Sequence, residues 1–275
     1  MRTVLRVAPA LGPPTQRLLW RAVYESASTG RRSERAAVMN YGFAPLEASA
    51  EAWPPRDRFG LQLYSKVAGA VKLADTDVLE VGCGRGAGAA FVLERFAPRS
   101  VTGVDLAGRA IAFGRSRHAR PGLELRTGDA ERLPFPPGRF GAVLSVESSH
   151  CYPDPERFFS EVHRVLTPGG VFLLADLRRT AVAAEASSFG IGDLPELRAQ
   201  LARTGFRALE EEDITAGVLL ALRLNTANVR ERIERRVPRL LRGPALAFAA
   251  VEGSAMYRGF ADGELAYTRF ALVRE

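Results

Sequence analysis

Short apolar segments alternate with longer amphipathic ones through the middle of the chain. Five apolar runs of strand length fall at residues 77–81, 101–104, 123–125, 142–146 and 171–175. Between most of them lie stretches of helix length, at residues 88–96, 107–117 and 155–166. Continuous rather than alternating hydrophobicity indicates strands that are buried on both faces. Strands separated by helices predict βαβ units, and therefore an α/β fold with a parallel sheet and helices on both faces.

The pattern changes after residue 180. Residues 194–203 predict a helix that ends at Gly205, and residues 206–214 predict a sixth strand. A last strand with alternating hydrophobicity follows at 266–274. The intervening segment, 218–261, is Arg-rich and amphipathic over 229–241 and small and apolar over 244–255.

We interpret the segments outside the core strands as helical caps over the sheet edge where doubly wound folds bind ligands. The alternative is that they only extend the fold. The chain is then one domain, 1–275, in four parts. These are an N-terminal helical cap (1–60), a core (61–180), the sixth strand with a substrate cap (181–262), and the last strand (263–275).

Composition supports a soluble globular protein, with 47% hydrophobic and 25% charged residues among 275. The net charge of +7 raises the possibility of a nucleic-acid partner. However, Lys66 and Lys72 are the only lysines, and an excess of Arg and Ala is typical of GC-rich codon usage. We therefore expect no nucleic-acid partner.

Two cysteines, Cys83 and Cys151, make neither a disulfide framework nor a zinc-ligand cluster. Residues 1–11 lack the apolar core of a signal peptide, so we expect a cytoplasmic protein. The longest apolar runs, 218–222 and 245–251, are too short to span a bilayer, which predicts no stable membrane insertion. The expected state is a monomer or a homodimer.

The strongest motif is Val-Leu-Glu-Val-Gly-Cys-Gly-Arg-Gly at residues 78–86, where a strand runs through glycines into a helix. Gly82 and Gly84 allow a tight turn and a close backbone approach to a ligand. The helix that follows offers unpaired N–H groups. Because Gly82, Gly84 and Ala87 also satisfy the dinucleotide fingerprint, the loop alone is ambiguous.

Three acids resolve the ambiguity. Glu80 lies just before the turn, where a carboxylate disfavours a pyrophosphate but suits an ammonium or sulfonium ligand. Asp105 ends the second strand, where it can hold both ribose hydroxyls. Asp129 follows the third strand and can accept a hydrogen bond from an adenine amino group. This set predicts a nucleoside ligand that carries a positive charge.

The ordered motifs resemble those of class I S-adenosylmethionine-dependent methyltransferases, including Leu-Thr-Pro-Gly-Gly at 166–170 before the fifth strand. The resemblance implies a Rossmann-like sheet of seven mostly parallel strands with an antiparallel last strand. It implies S-adenosyl-L-methionine as cofactor and S-adenosyl-L-homocysteine as product. The cofactor-binding residues that it implies are Glu80, Gly82, Gly84, Gly86, Asp105, Leu106, Asp129, Ala130, Val146 and Glu147.

By this resemblance, we expect Glu80, Gly82 and Gly84 to face the methionine part of the cofactor. We expect Asp105 to bind the ribose, and Val146 and Glu147 to flank the sulfonium. The adenine is expected at Leu106, Asp129 and Ala130.

The candidate catalytic residues are His150 and Asp176. His150 lies in a loop after the fourth strand, because Pro153 ends the segment Glu-Ser-Ser-His-Cys-Tyr-Pro. A histidine there can take the proton of an acceptor hydroxyl, position the substrate, or only stabilise the loop. Asp176, at the end of the fifth strand, can hold the imidazole or bind the acceptor. This pair resembles the one in natural-product O-methyltransferases.

A metal-assisted reaction would need several Asp or Asn ligands together. Asp176 is followed by Leu177, Arg178 and Arg179 instead. The expected site therefore holds no metal.

These and further motifs resemble those of the phthiotriol/phenolphthiotriol dimycocerosate methyltransferases, which O-methylate a polyketide-derived lipid. The matching motifs are residues 147–153, Ala-Asp-Leu-Arg at 175–178 and Gly-Glu-Leu-Ala-Tyr at 263–267. The chain departs from the family at Gly82, where a Ser is expected, and over much of 181–260. The resemblance implies a lipophilic small-molecule acceptor. Candidate residues of the acceptor pocket are Tyr41, Tyr64 and Tyr152, because aromatic rings can lie against a sulfonium or an apolar chain.

Three alternatives remain at this point. They are C-methylation of a lipid or isoprenoid, a polyketide cyclase that retains the cofactor, and an RNA methyltransferase.

Overall fold

The computed structural model describes residues 38–47, 53, 57–182 and 191–275. Within these residues the chain forms seven strands, eight α-helices and a 3₁₀ turn at Ser149–Cys151. The strands are β1 (Asp77–Val81), β2 (Ser100–Asp105), β3 (Leu123–Thr127), β4 (Phe140–Val146), β5 (Leu166–Arg179), β6 (Phe206–Asp213) and β7 (Leu265–Arg274). The helices are α1 (Arg58–Ala68), α2 (Ala87–Phe96), α3 (Gly108–His118), α4 (Pro155–Val165), α5 (Leu194–Arg203), α6 (Thr215–Arg236), α7 (Arg239–Phe248) and α8 (Ala255–Ala261).

The strands form one sheet in the order β3-β2-β1-β4-β5-β7-β6. Strands β1 to β5 pair in parallel, and β7 is antiparallel to both of its neighbours. This confirms the predicted fold class. The strand order reverses between β1 and β4, and in such sheets the crevice at the carboxyl ends of these strands is the usual ligand site.

Both faces of the sheet are covered, as the continuous apolar runs predict. On one face, Val78, Leu144 and Leu173 belong to a core cluster with residues of α1 and α2. On the other face, Leu79, with no exposed surface, belongs to a second cluster that includes Phe158 of α4. The central strands therefore form a rigid layer whose ends hold the loops in place.

The predicted strands and helices differ from the observed ones mainly at their ends. Strand β5 begins at Leu166 rather than at residue 171, because Leu166 pairs with Phe140 before the register shifts and Val171 pairs with Ala142. The expected turn at 166–170 is thus a bulge inside a longer strand. Helix α4 accordingly ends at Val165, one residue before the predicted end.

The C-terminal insertion is helical, but its breaks differ from the predicted ones. The amphipathic stretch at 229–241 is divided between α6 and α7, because the chain turns at Val237 and Pro238. Among the described residues, no helix has both the length and the apolar character needed to cross a bilayer.

Most of the predicted N-terminal cap lies outside the described residues. The part at 38–47 packs on the core, where the Phe43 N–H donates to the Phe59 carbonyl over 2.9 Å. The Ala44 N–H donates to the Gly217 carbonyl of α6 over 3.0 Å. The two outer segments are therefore in contact with each other. Their role as caps stays a prediction.

Candidate functional site

A cavity lies at the carboxyl ends of the four strands β1 to β4. Its volume is about 1120 Å³, counting the part that is open to solvent. Its wall includes residues that follow each of these strands, at 82–85, 105–107, 128–131 and 147–148. This size and position suit a nucleoside-sized ligand at the crevice of a doubly wound sheet.

The glycine loop after β1 forms one side of the cavity. The N–H groups of Gly82 and Cys83 both donate to the Val104 carbonyl, over 2.8 and 3.1 Å, which ties the loop to β2. Gly84 has a left-handed φ of +55°, and a Cβ there would have no protein atom within 4 Å. The loop thus brings bare backbone to the cavity, as the motif predicts.

Asp105 fixes this loop from the end of β2. Its Oδ2 accepts from the Gly84 N–H and its Oδ1 from the Ala107 N–H, each over 2.8 Å. Burial raises the pKa of Asp105, although both backbone hydrogen bonds act to lower it. Because a carboxylate oxygen can accept more than one hydrogen bond, Asp105 keeps capacity for ribose hydroxyls.

The charge of the cavity wall favours a cationic ligand. Among the described residues that line it, four are acidic and one is an arginine: Asp105, Asp129, Glu131, Glu147 and Arg85. A dinucleotide would place its anionic pyrophosphate among these acids. The residues therefore fit a nucleoside that carries a sulfonium and an ammonium group better than they fit a dinucleotide.

Most of the predicted cofactor residues come together at this cavity. Those in its wall are Gly82, Gly84, Asp105, Leu106, Asp129, Ala130, Val146 and Glu147. Asp129 is in addition held in place locally, since its Oδ1 accepts from the Glu131 N–H over 2.9 Å. Their individual contacts to the cofactor stay predictions.

The wall does not include two of the predicted residues, Glu80 and Gly86. Glu80 is 1% exposed, and its Oε1 accepts from the Tyr64 hydroxyl over 2.5 Å, so it lies behind this tyrosine. Burial raises the pKa of Glu80 to about 7, although the Tyr64 hydrogen bond lowers it. Gly86 has a φ of +73° and precedes α2, where a Cβ would meet the side chain of Leu125 at 2.5 Å.

Glu147 occupies a strained position next to the cavity. It has a left-handed φ of 53°, which is uncommon for a residue with a side chain and is concentrated at functional sites. Its Oε2 accepts from the Tyr41 N–H over 2.8 Å and from the Tyr267 hydroxyl over 3.0 Å. Burial raises the pKa of Glu147 to about 7. The side chain is therefore held by the N-terminal segment and by β7 together.

His150 and Asp176 are in direct contact, which is one of the two arrangements that the sequence left open for Asp176. The imidazole Nδ1 lies 2.7 Å from Asp176 Oδ1, and the His150 N–H donates to Asp176 Oδ2 over 3.0 Å. Asp176 is fully buried, whereas the His150 side chain keeps 16% of its surface exposed. His150 is not in the cavity wall, but its neighbours Glu147, Ser148 and Cys151 are. The imidazole thus lies at the edge of the cavity.

Opposite charges stabilise the contact between His150 and Asp176. Burial of Asp176 opposes ionisation, but the charges of His150 and Arg178 lower the pKa of Asp176 well below its usual value. Burial also works against a charged imidazole, yet Cys151 and the Asp176 carboxylate raise the pKa of His150 well above 6.5. With Nδ1 held by Asp176, Nε2 is the ring nitrogen that can exchange a proton with a ligand.

The sequence prediction missed three residues that complete the site. The Ser149 hydroxyl donates to Asp176 Oδ2 over 2.5 Å, and Arg178 Nη1 lies 3.2 Å from the same oxygen. The third is Tyr267, which binds Glu147. Arg178 is two residues after Asp176 on one strand, so the two share a sheet face, and this spacing is a signal that points to Arg178.

Of the three predicted pocket tyrosines, Tyr64 and Tyr152 line the cavity. Tyr41 is not in the wall. Its hydroxyl donates to the Phe248 carbonyl of α7 over 3.2 Å. Among the described residues, no group of three or more His, Cys, Asp and Glu side chains is arranged to hold a metal ion.

Comparison with known proteins identifies relatives over the whole chain. Residues 79–174 match the family model described as a methyltransferase domain. The phthiotriol/phenolphthiotriol dimycocerosates methyltransferase of Mycobacterium tuberculosis is 35% identical over 100% of this chain and 98% of its own. The fatty-acid O-methyltransferase of Mycolicibacterium smegmatis is 36% identical over 86% of this chain and 84% of its own.

Solved structures share the fold. A geranyl diphosphate C-methyltransferase from Streptomyces coelicolor, determined with S-adenosyl-L-homocysteine, has a TM-score of 0.69 at 18% identity. The match covers 93% of this chain and 98% of that one. The [4+2]-cyclase SpnF has a TM-score of 0.70 at 19% identity, over 96% and 97% of the two chains. At such identities the likeness shows the fold alone.

Proposed function

Because the chain belongs to the S-adenosylmethionine-dependent methyltransferases, among the relatives of the phthiotriol/phenolphthiotriol dimycocerosates enzymes, we propose that it O-methylates a lipophilic acceptor. The acceptor carries a hydroxyl or an enol on a polyketide- or lipid-derived small molecule. The observation that carries the proposal is the contact of His150 with the buried Asp176 at the edge of the cavity. A hydroxyl is a poor nucleophile until it loses its proton, so its methylation is the reaction that a base at this position would accelerate most.

The cofactor supplies an electrophilic methyl group on a sulfonium. The glycine loop and Asp105 would hold its nucleoside, and the acidic wall would match its positive charge. His150 Nε2 would take the proton that the acceptor hydroxyl loses on methylation. Asp176 stabilises the resulting imidazolium, and the enclosed site aligns the two reactants.

The names of two relatives favour O-methylation of a lipid. The Mycobacterium tuberculosis relative acts on phthiotriol and phenolphthiotriol dimycocerosates, and the Mycolicibacterium smegmatis relative is named a fatty-acid O-methyltransferase. The chain is 35% and 36% identical to them, so it shares their family, and we extend a lipid-derived acceptor to it as a proposal.

The test is to identify the methylated product. The protein is incubated with candidate polyketides and lipid extracts and with cofactor that carries a ¹³C methyl group. A product with a methoxy carbon resonance supports the proposal, whereas a methyl on carbon means C-methylation. A product that forms without release of S-adenosyl-L-homocysteine means a cyclase, and label in RNA means a nucleic-acid substrate.

His150→Ala tests the assigned base. Loss of the proton acceptor should lower turnover about 10²–10⁴-fold. Cofactor affinity should stay nearly unchanged, because His150 is outside the cavity wall. Full activity of the variant would mean that alignment alone suffices.

A further inference from the structure

Helix α7 presents its apolar side to solvent. Leu240 is 89% exposed, Leu241 54% and Phe248 39%, and none of the ten residues of α7 is buried. Residues 240, 244 and 248 follow at intervals of four, and 241 and 248 are seven apart, so these side chains share one helix face. A surface helix of a globular protein normally directs such a face to the core. Here it is directed outwards.

The segment that carries this face has a net positive charge. Residues 229–248, the end of α6 and the whole of α7, contain six arginines and two glutamates, a net charge of +4 (6 − 2) within a chain of +7. The arginines are Arg230, Arg232, Arg235, Arg236, Arg239 and Arg242. Arg242 donates from Nε to the Val237 carbonyl over 3.0 Å, which holds the turn between the helices closed. We call residues 229–248 the basic hairpin.

The basic hairpin is joined to the cavity through Tyr41. The Tyr41 hydroxyl donates to the carbonyl of Phe248, and the Tyr41 N–H donates to the Glu147 carboxylate in the cavity wall. The Tyr41 ring also packs edge-on against Phe260 of α8, with 6.1 Å between ring centroids. One residue therefore separates the exposed apolar face from the site wall.

We propose that the basic hairpin docks on the surface of an anionic phospholipid bilayer. The side chains of Leu240, Leu241 and Phe248 enter the interface, and arginines on the other sides of the hairpin bind lipid phosphates. Helix α7 carries Leu240, Leu241 and Phe248 on one face and Arg239 and Arg242 on the opposite face, which is the pattern of a helix that lies in the plane of a membrane surface. A second copy of the chain is a poorer partner, since a two-fold contact would bring this +4 segment against itself.

Docking goes beyond the proposed function. Docking would also let a lipophilic acceptor pass from the bilayer to the cavity beside Tyr41. This second step rests on the proposed function.

The test is co-sedimentation of the full chain with vesicles, without cofactor or acceptor. Vesicles of phosphatidylcholine mixed with phosphatidylglycerol should bind the protein, and vesicles of phosphatidylcholine alone should bind it far more weakly. Leu240→Ser and Leu241→Ser should each lower binding about tenfold, since each removes one leucine that docking would bury in the bilayer. Arg230→Gln and Arg239→Gln should each lower it about fivefold.

Matched controls are Leu209→Ser on β6, where the leucine is 52% exposed, and Arg120→Gln, an exposed arginine between α3 and β3. Both should bind vesicles as the unchanged protein does. All of the variants change exposed residues, so their thermal unfolding midpoints should match.

Equal binding to both vesicle types, or hairpin variants that bind like the controls, would overturn the proposal. The hairpin variants could instead lose a self-association that the unchanged protein shows in sedimentation without vesicles, while their vesicle binding stays unchanged. That result would assign the face to a second copy of the chain. Because the assay contains no acceptor, vesicle binding can hold even if the product test refutes O-methylation.

Discussion

Asp176 is the residue on which the catalytic side of the site depends. Five donors surround its carboxylate: the Ser149 hydroxyl, the His150 N–H and Nδ1, the Leu177 N–H and the Arg178 guanidinium. Arg178 is itself buried, and its Nη2 donates to the Ser149 hydroxyl over 2.6 Å. A buried carboxylate with this many donors stays ionised. It therefore orients His150 and increases its basicity at the same time.

The acid limb of the pH–activity profile should report this pair. His150 must lose its proton before it can accept one, so kcat/KM should rise as the pH increases through the His150 pKa, which lies above 6.5. Asp176→Asn removes a negative charge and should move this limb to lower pH. Arg178→Met removes a positive charge and should move it to higher pH. The measurement is kcat/KM against pH for the three proteins.

The opposite directions make this prediction specific to charge. A role for Asp176 and Arg178 in folding alone would lower activity in both variants and leave the limb in place. Arg203→Met changes an exposed arginine whose ion-pair partners are Glu156 and Glu196 and not Asp176 or His150, and it serves as the control that should leave the limb unmoved.

Asp105 should dominate cofactor affinity. Asp105→Ala removes the acceptor for the Gly84 and Ala107 N–H groups and the expected partner of the ribose. Calorimetry with S-adenosyl-L-homocysteine should show affinity weakened by about 1–3 kcal/mol, the size of a lost buried hydrogen-bonding group. Asp77→Ala, which changes a carboxylate at the opposite end of β1, should bind as before. Unchanged affinity of Asp105→Ala would remove Asp105 from the cofactor site.

At the scale of elements, the cavity depends on how closely α2 approaches α1. Gly88 lies in the first turn of α2, where an added Cβ would be 2.1 Å from Cζ of Tyr64. The tyrosine ring cannot move away easily, because it is buried and its hydroxyl is bound to Glu80. This glycine therefore permits the packing that brings Tyr64 to the cavity.

Two glycine-to-alanine substitutions in helices should have opposite effects. Gly88→Ala should lower the free energy of unfolding by about 1–3 kcal/mol, since overpacking outweighs the better helix propensity of alanine. Gly243→Ala in α7 should raise it by about 0.5–1 kcal/mol, because a Cβ there meets no atom within 4 Å. Urea unfolding monitored by circular dichroism measures both. Equal changes in the free energy of unfolding for the two variants would show that helix propensity alone determines the effect.

The elements themselves were predictable to different degrees. Strand β1 matches its predicted bounds, because the apolar run is bracketed by Asp77 and Gly82. The early start of β5 was not predictable, since a bulge depends on pairing with Phe140 and not on local residues. The outward orientation of the apolar face of α7 was not predictable either. Periodicity defines an apolar face, but it does not say whether that face meets the core or the solvent.

At the scale of the whole molecule, the sheet explains which site residues the sequence revealed. Asp105, Asp129 and Glu147 all follow parallel strands, and the carboxyl ends of parallel strands meet at one edge. Tyr267 is 120 positions from Glu147, and it arrives there through its antiparallel pairing opposite Leu177. That register depends on the completed sheet, so no local pattern indicates the contact.

The molecule as a whole should lose stability as the pH rises from about 4.5 to about 7, because of buried Glu80. Its folded pKa of about 7 lies above the ordinary value of 4.5, so the folded protein holds a proton that the unfolded chain has released in this range. Glu80→Gln keeps the polar group next to Tyr64 and removes the ionisation. The free energy of unfolding of this variant, relative to the unchanged protein, should therefore rise by roughly 3 kcal/mol between pH 4.5 and pH 8.

The comparison isolates Glu80 from the other titrating groups of the site. The pKa of Asp176 is lowered in the folded protein, so its contribution changes only in more acidic solution. The raised pKa values of Glu147 and His150 also make the protein lose stability as the pH rises, from about 4.5 and from 6.5 respectively, but equally in both proteins. Urea unfolding of cofactor-free protein across this range, with Glu94→Gln as an exposed control, measures the difference. Parallel curves for Glu80→Gln and the unchanged protein would mean that Glu80 is ionised in its buried position, stabilised by contacts stronger than the hydrogen bond from Tyr64.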